Sequence, residues 1–142
     1  MRSVKNILET KGNNVVTIDQ KQTVYDAILL MDTHHIGSLV VTHEDELVGV
    51  VTERDYACKV IIKGKQSKST TIQEIMTDKL VVAKPETTIN ECMALMTNKR
   101  IRHLPVLDDG KLVGVISIGD VVKEVIDEQN FVIEQLESYI HS

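Results

Sequence analysis

Two short stretches of this chain place a hydroxyl residue three positions before an aspartate. The first, LVGVVTERD, contains Thr52 and Asp55, and the second, LVGVISIGD, contains Ser117 and Asp120. At the start of a helix, such a pair can form a capping box, in which each side chain accepts a hydrogen bond from the other residue's backbone N–H. A capping box prefers Glu or Gln at its last position, so capping alone explains these two aspartates incompletely.

The same residue types can also bind a small ligand. A carboxylate accepts hydrogen bonds from two ligand hydroxyl groups at once, and such charge-assisted bonds are stronger than neutral ones. The free N–H groups at the start of a helix, together with the helix dipole, bind phosphate. The two stretches therefore indicate either two helix caps or a ligand site that is built twice.

Composition restricts the possible partners. The 142 residues can form one compact unit or two joined half-size units, with 42% hydrophobic and 26% charged residues. Aromatic residues make up 3% of the chain, so few side chains are available to stack on nucleic-acid bases. A net charge of −5 lacks the basic field of a nucleic-acid-binding protein. We therefore expect a globular protein without a nucleic-acid partner.

The remaining composition signals concern membranes, metals and compartment. No segment approaches the apolar length of a membrane helix, and the first residues lack the apolar core of a signal peptide. Cys58 and Cys92 stand singly, without metal-ligand spacing. The adjacent His34 and His35 would point about 100° apart on a helix, and no third ligand is evident. We expect a cytoplasmic protein with no membrane partner and no metal site.

The elements that carry the two stretches are themselves repeated. Residues 23–61 align with residues 88–126 without a gap at an offset of 65, and 13 of the 39 pairs are identical. Farther upstream an offset of 68 pairs Val4, Ile7 and Leu8 with Ile72, Ile75 and Met76. An internal duplication of this length predicts two related units and not an open solenoid of short repeats.

Each copy predicts a β-α-β-β-α unit. Apolar residues recur at helical spacing in the helices, and the polar turns HEDE and DDGK separate the paired strands, the second turn with an Asp-Gly hairpin signal. The predicted elements are strands over residues 15–18, 38–42, 80–83 and 103–107, helices over 24–31 and 89–96, the two LVGV strands, and second helices that begin near Asp55 and Asp120.

The duplication also sets the predicted boundaries. We place the first unit at residues 1–66, the second unit at residues 67–130 and a C-terminal helix at residues 131–142, with a polar linker over residues 63–70. The C-terminal segment carries apolar residues on one face. We expect this face either to dock on the chain or to form half of an intermolecular contact.

The chain carries the two predicted β-α-β-β-α units, the EIMT phrase of residues 74–77, the RHLPV strand of residues 102–106 and the two LVGV stretches. With these features it resembles a tandem pair of cystathionine β-synthase-type (CBS) domains, also called a Bateman module. The resemblance covers essentially the whole chain and is strongest to small stand-alone CBS-pair proteins. It implies an α+β fold in which tandem β-α-β-β-α units form a pseudo-twofold pair. It also implies a homodimer that associates through helices.

In this family, the cleft between the paired units binds adenosine-containing ligands, with the hydroxyl on phosphate and the aspartate on the ribose hydroxyls. The resemblance implies an adenine nucleotide, with AMP or NAD(H) ahead of ATP, as a ligand and not as a catalytic cofactor. The candidate nucleotide-binding residues are Ile18, Gly37, Ser38, Thr52, Arg54, Asp55, Ala83, Arg102, His103, Pro105, Ser117, Ile118, Gly119 and Asp120.

The resemblance also suggests roles for several of these residues. Ile18 and Ala83 are expected to line the adenine slot, and Arg102 and His103 are expected to contact phosphate. Arg54 can bind phosphate or pair with its acidic neighbour, whereas at the second site Ile118 offers adenine an apolar face.

The two predicted sites are not equivalent. Gln20 stands where the second copy has Pro85, and Val40 stands where it has Pro105. The first site therefore departs further from the family pattern, and we expect it to bind ligand more weakly than the second site.

These inferences predict a regulatory or sensor module that signals energy or redox state to an unidentified protein. An enzyme is disfavoured, because no nucleophile–base pair, paired carboxylates or metal ligands converge in the sequence. Two alternatives stay open: an interaction or dimerisation module with empty clefts, and an S-adenosylmethionine sensor.

Overall fold

The computed structural model describes residues 2–141, and it divides into two compact units. The middle unit is Val15–Leu80, and the terminal unit joins residues 2–14 to residues 81–141. The segment that opens each repeat packs with the other repeat, so the opening segments are exchanged. Helix α1, Val4–Lys11, opens the first repeat and packs in the core of the second, whereas Ile72 and Ile75, which open the second repeat, pack in the core of the first. The predicted limits at residues 66 and 130 follow the sequence repeat, whereas the packing follows the exchange.

The middle unit contains one three-stranded sheet. Its elements are β1 (Thr17–Asp19), α2 (Val24–His34), β2 (Ser38–His43), β3 (Glu46–Thr52) and α3 (Glu53–Tyr56), followed by a π-helical turn over Ala57–Ile61 and a 3₁₀ turn over Ile72–Glu74. Strand β1, which begins two residues later than predicted, pairs parallel with β2, and β2 pairs antiparallel with β3. The aliphatic core of this unit is Ile18, Val24, Ala27, Met31, Leu39, Val41, Val51, Val60, Ile72 and Ile75.

The terminal unit repeats the hairpin but has a shorter sheet. Besides α1, its elements are α4 (Ile89–Lys99), β4 (His103–Asp108), β5 (Lys111–Ser117) and α5 (Ile118–His141). Strands β4 and β5 pair antiparallel. The core of this unit is Val4, Ile7, Leu8, Ala83, Ile89, Cys92, Met96, Leu104, Val106, Ile116 and Val121. Both predicted hairpins and both predicted helices that precede them are confirmed.

The predicted strand over residues 80–83 is wrong, and Pro105 gives the physical reason. Ala83 makes a single parallel bridge to Val106, in which the Ala83 N–H donates to the Pro105 carbonyl at 2.9 Å. In a parallel ladder the next N–H to donate from β4 would be that of Pro105, and proline has none. Val40 occupies this position in β2, where β1 forms a three-residue ladder.

Both hairpins turn through two residues in the left-handed region. Asp109 and Gly110 have φ values of 50° and 78°, and Glu44 and Asp45 have φ values of 49° and 67°. Two successive positive φ values are typical of the type I′ turn, which matches the twist of paired strands. The Asp-Gly hairpin signal is therefore confirmed, and the first hairpin makes the same kind of turn without glycine.

Helix α5 runs without interruption to His141, so the segment predicted as a separate C-terminal helix continues α5. Ser142 lies outside the described residues. Val121 and Glu124 are buried near the start of α5. The exposed apolar residues of this helix include Val122, Ile126, Phe131, Val132, Ile133, Leu136 and Ile140. Within residues 2–141, none of the helices has the length and apolar character needed to cross a membrane.

Candidate functional site

The junction of β3 and α3, which we call the β3–α3 corner, forms a complete capping box. Thr52 ends β3 and is the N-cap of α3. Its Oγ1 accepts a hydrogen bond from the Asp55 N–H at 3.1 Å, and Asp55 Oδ2 accepts one from the Thr52 N–H at 2.9 Å. Asp55 is 9% exposed, so this carboxylate sits inside the fold.

The junction of β5 and α5, the β5–α5 corner, repeats this arrangement. Ser117 Oγ accepts from the Asp120 N–H at 3.1 Å, and Asp120 Oδ2 accepts from the Ser117 N–H at 2.8 Å. Helix capping is therefore one role of both pairs. Aspartate closes the capping box here although the motif prefers a longer carboxylate. Capping as one role of these residues is confirmed, and the expectation that capping alone is an incomplete explanation stays a prediction.

A lysine that the sequence reasoning missed lies against Asp55. Lys59 Nζ lies 3.1 Å from Asp55 Oδ1 and donates a hydrogen bond to the Ile75 carbonyl at 2.9 Å. Asp55 and Lys59 are four residues apart along a helical segment, and this spacing brings opposite charges together. The pair was therefore visible in the sequence.

A second missed lysine lies against Asp120, and it comes from α1. Lys11 Nζ donates to Asp120 Oδ2 at 2.7 Å and to the Val115 carbonyl at 2.8 Å. The two side chains are separated by 109 residues in the sequence. No local pattern connects them, so only the fold reveals this pair.

The charges around the β5–α5 corner shift the pKa values of two side chains. Burial alone would raise the pKa of Asp120, but hydrogen bonds from Lys11 and from the Ser117 N–H outweigh it, and the pKa lies below its ordinary value. The pKa of His103 is also lowered, first by burial and then by the positive charge of Lys11, while Asp120 acts in the opposite direction. The corner therefore holds an ionised carboxylate and favours a neutral imidazole.

The start of β2 brings two predicted site residues to the β3–α3 corner. The Glu53 N–H, the first of α3, donates to the Gly37 carbonyl at 3.0 Å. Ser38 pairs with Thr52 across the sheet. Arg54 is exposed on α3. The prediction that Gly37, Ser38 and Arg54 lie near the hydroxyl and the aspartate thus agrees with their placement, while their contact with a ligand stays a prediction.

The start of β4 likewise brings the predicted site residues Arg102 and His103 to the β5–α5 corner. The Ile118 N–H donates to the Arg102 carbonyl at 2.8 Å, and His103 pairs with Ser117 across the sheet. Arg102 is exposed, and His103 is partly buried. Ile118 is 45% exposed, and Gly119 is exposed beside it. Arg102, His103, Ile118 and Gly119 therefore lie beside the capping box of α5.

The three other predicted site residues lie in the cores of their units. Ile18 and Ala83 are 3% and 2% exposed and pack in the middle and terminal cores, respectively. Pro105 is buried, and its carbonyl accepts from the Ala83 N–H. These positions match ordinary strand-core residues, and their predicted role in an adenine slot stays a prediction.

Groups suited to catalysis or metal binding are scarce among the described residues. Within residues 2–141, no three His, Cys, Asp or Glu side chains are placed to hold a metal ion together. Cys58 is exposed and Cys92 is buried. Burial, followed by the charge of Glu91, raises the pKa of the Cys92 thiol to about 11, so this thiol is protonated at neutral pH.

Comparisons with known proteins place these corners in a family. The CBS domain family matches residues 4–59 and 72–127, which together are more than half of the chain. The mitochondrial CBS-domain-containing protein CBSX3 of Arabidopsis thaliana is 40% identical over 147 residues, covering 97% of this chain and 71% of its own length.

Solved structures agree with the sequence relatives. A protein with CBS domains from Burkholderia ambifaria MC40-6 is 50% identical, with a TM-score of 0.85, covering 89% of this chain and 96% of that chain. The CBS domain pair of protein MJ0100, in complex with 5′-methylthioadenosine and S-adenosyl-L-methionine, is 26% identical, with a TM-score of 0.79, covering 90% and 98%. This chain therefore belongs to the CBS-domain family, as a tandem pair of CBS domains with an α+β fold.

Proposed function

We propose that this protein is a non-catalytic regulatory module that binds an adenine nucleotide at its strand–helix corners. CBS-domain pairs are in general regulatory modules for adenosine-containing ligands. The observation that carries the proposal is the hydroxyl, the carboxylate and the helix start that meet at each corner. These groups match the phosphate and the vicinal hydroxyls of a nucleotide.

Helix capping leaves the polar groups able to bind this ligand. A serine or threonine hydroxyl has one donor and two acceptor positions. Thr52 and Ser117 accept in their capping boxes, so each hydroxyl proton can still donate to a phosphate oxygen. An ionised carboxylate has about four acceptor positions, so Asp55 and Asp120 can accept from ribose hydroxyls as well as from the backbone. The two interpretations of the repeated stretches are therefore compatible.

AMP and NAD(H) are the preferred ligands, ahead of ATP. The exposed cations beside the corners are few, chiefly Arg54 in the middle unit and Arg102 in the terminal unit. A triphosphate without Mg²⁺ carries more negative charge than these side chains balance. The bound nucleotide acts as a signal of energy or redox state to a regulated protein and not as a catalytic cofactor. The predicted cytoplasmic location stays a prediction, since CBSX3 is mitochondrial.

Calorimetric titration of the full chain with AMP, NADH, ATP and S-adenosylmethionine tests this proposal. AMP or NADH should bind most tightly, and no product should form during the titrations. Absence of binding by every adenosine compound at millimolar concentration would overturn the nucleotide site. Measurable turnover of any of them would overturn the non-catalytic role.

An interaction module with empty sites is the second candidate, and the exposed face of α5 supports it. Ile126, Ile133 and Ile140 recur every seven residues, which is the spacing of a helix that packs along another helix. They are 49%, 51% and 73% exposed. The predicted homodimer through helices would cover this face. Sedimentation should give about twice the chain mass of 15.9 kDa, and a monomer at micromolar concentration would contradict the dimer.

A further inference from the structure

We propose that Lys11 selects phosphorylated adenosine ligands at the β5–α5 corner. In the ligand-free protein, its ammonium neutralises the Asp120 carboxylate. When a nucleotide binds, the ribose hydroxyls take over the carboxylate and the ammonium turns to the phosphate. This inference rests on the proposed function and deepens it by naming the residue that sets the ligand class.

Two hydrogen bonds hold the Lys11 ammonium at the corner, and a bound ligand can replace them. Its Nζ contacts Asp120 Oδ2 at 2.7 Å and the Val115 carbonyl at 2.8 Å. The Lys11 side chain is 40% exposed and the Asp120 side chain is 25% exposed. Ion pairs that water reaches contribute at most about 1 kcal/mol, so a ligand that replaces this one has little to overcome. Lys11 is also the last residue of α1, and Gly12 follows with a φ of 91°.

The lysine and a ribose compete for the same carboxylate. Asp120 Oδ2 accepts both from Lys11 and from the Ser117 N–H, while within residues 2–141 no hydrogen bond reaches Oδ1. The Lys11 ammonium and the Ser117 N–H fill both acceptor positions of Oδ2, so vicinal hydroxyls that bind one to each carboxylate oxygen compete with the ammonium at Oδ2. An uncharged nucleoside gains nothing in return for this displacement, whereas a phosphate gives the released ammonium a new partner.

Positive charge converges at this corner. Arg102 lies at the start of β4, with its carbonyl bonded to the first N–H of α5. The pKa of His103 is held low by burial and by the charges of Lys11 and Arg102, against the opposing charge of Asp120. The cationic side chains of Lys11 and Arg102 thus act at this corner against the single negative charge of Asp120. These cations attract a phosphate and repel the sulfonium of S-adenosylmethionine.

The test compares AMP with adenosine, since the two ligands differ only by the phosphate. Asp55→Asn weakens the proposed ribose contact at the other corner, and each Lys11 variant is compared with its Lys11 parent in this background, so that the change in affinity reports on the β5–α5 corner. In this background Lys11→Met should weaken AMP about tenfold or more, the size expected when one charge-assisted hydrogen bond is lost. Adenosine should bind equally well or more tightly, because its competitor is gone.

Two further variants separate selection from simple loss of charge or structure. Lys5→Met removes the same charge from an exposed position of the same helix, and it should leave the AMP-to-adenosine affinity ratio unchanged. Lys11→Arg keeps the charge and should retain most of the preference for AMP. Melting temperature and circular dichroism show whether α1 stays docked in each variant.

The possible results distinguish a failure of ligand selection by Lys11 from a failure of the proposed nucleotide binding. If Lys11→Met weakens AMP and adenosine equally, Lys11 acts only by holding α1, and the selection is overturned. Unchanged affinities for both AMP and adenosine in Lys11→Met overturn it as well. If the folded, unaltered chain binds neither AMP nor adenosine, the proposed function fails instead. A lower AMP-to-adenosine ratio in Lys11→Met alone supports the inference.

Discussion

The β3–α3 corner and the β5–α5 corner have the same kind of capping box, but the lysine that pairs with the aspartate comes from a different element at each corner. At the first corner, the helical segment provides Lys59, and Ile75 of the other repeat's opening segment provides the carbonyl that the lysine contacts. At the second corner, the opening segment α1 provides Lys11, and strand β5 provides the carbonyl of Val115. The duplication has thus kept the bridge between the opening segment and the corner while it moved the cation.

The position that holds a lysine in the first repeat holds a glutamate in the second, so the second corner obtains its lysine from another element. Glu124 occupies the position in the second repeat that Lys59 occupies in the first. It is buried and pairs with Arg2 at 2.7 Å. The β5–α5 corner therefore has no lysine on its own helix four residues after the aspartate. The comparison teaches that the first corner is neutralised locally, whereas the second depends on the docking of α1.

The largest expected effect on stability comes from substitutions that disturb the packing of the opening segments against β3 and β5. A Cβ added to Gly49 would lie 2.7 Å from Met76 Sδ and 3.0 Å from the Thr77 carbonyl, and one added to Gly114 would lie 2.6 Å from Leu8 Cδ2. Overpacking costs typically about 1–3 kcal/mol. Gly49→Ala should lower the free energy of unfolding more than Gly114→Ala, because backbone yields less readily than the end of a leucine. Urea denaturation measures both, and the reverse order would contradict the two packing arrangements.

Removing each lysine should show the difference between local and distant pairing. Lys59→Met removes a contact four residues along a helix and should cost about 0.3–0.5 kcal/mol, whereas Lys11→Met should cost up to about 1 kcal/mol. Lys11→Met should also raise the pKa of Asp120, since Lys11 helps to hold it low. Urea denaturation and carboxyl NMR titration measure these changes.

The same pair predicts a pH dependence with a definite sign. The pKa of Asp120 is lower in the folded protein than the unfolded value of about 3.9. The stability that Asp120 contributes is therefore present above about pH 3.9 and is lost as the pH falls through the folded pKa. The stability difference between the unaltered chain and Lys11→Met should shrink in acid. A difference that stays constant down to pH 2 would contradict the ion pair.

The smallest expected effect on stability comes from the residue that pairs with each capping hydroxyl residue, which is the first residue of β2 or β4. Ser38 and His103 occupy equivalent positions and pair with Thr52 and Ser117. The pKa of folded His103 is lowered, so the unfolded chain takes up a proton first, near pH 6.5, and stability falls as the pH drops below that value. His103→Ser should remove this part of the pH dependence. Parallel stability profiles of the two proteins between pH 7 and 5 would contradict it.

The sequence predicted those features that depend on neighbouring residues. The Thr52 and Ser117 caps follow from hydroxyl and carboxylate spacing, and the hairpin at Asp109 and Gly110 follows from a residue pair that tolerates positive φ. The duplication itself predicted two similar units. These signals each lie within a few residues, or within a repeat that can be aligned by eye.

Features that depend on distant contacts could not be predicted in this way. Lys11 meets Asp120 across 109 residues, and nothing in the spacing of either indicates the other. The exchange of the opening segments depends on which core buries Leu8 and Ile75, and the repeat pattern fits either core. The missing strand was different, because Pro105 was visible in the sequence and its lack of an N–H could have been used.

The central claim is that the repeated corners bind nucleotide as well as cap helices, and one measurement tests it most directly. Asp120→Asn keeps a side-chain oxygen for the cap but loses the charge that strengthens the ribose bonds. It should weaken AMP binding about tenfold, which corresponds to ~1.4 kcal/mol, while loss of the ion pair with Lys11 lowers the free energy of unfolding by at most about 1 kcal/mol. Asp55→Asn should do the same, more weakly. A lowered melting temperature with unchanged AMP affinity at both corners would show that the repeat serves architecture alone.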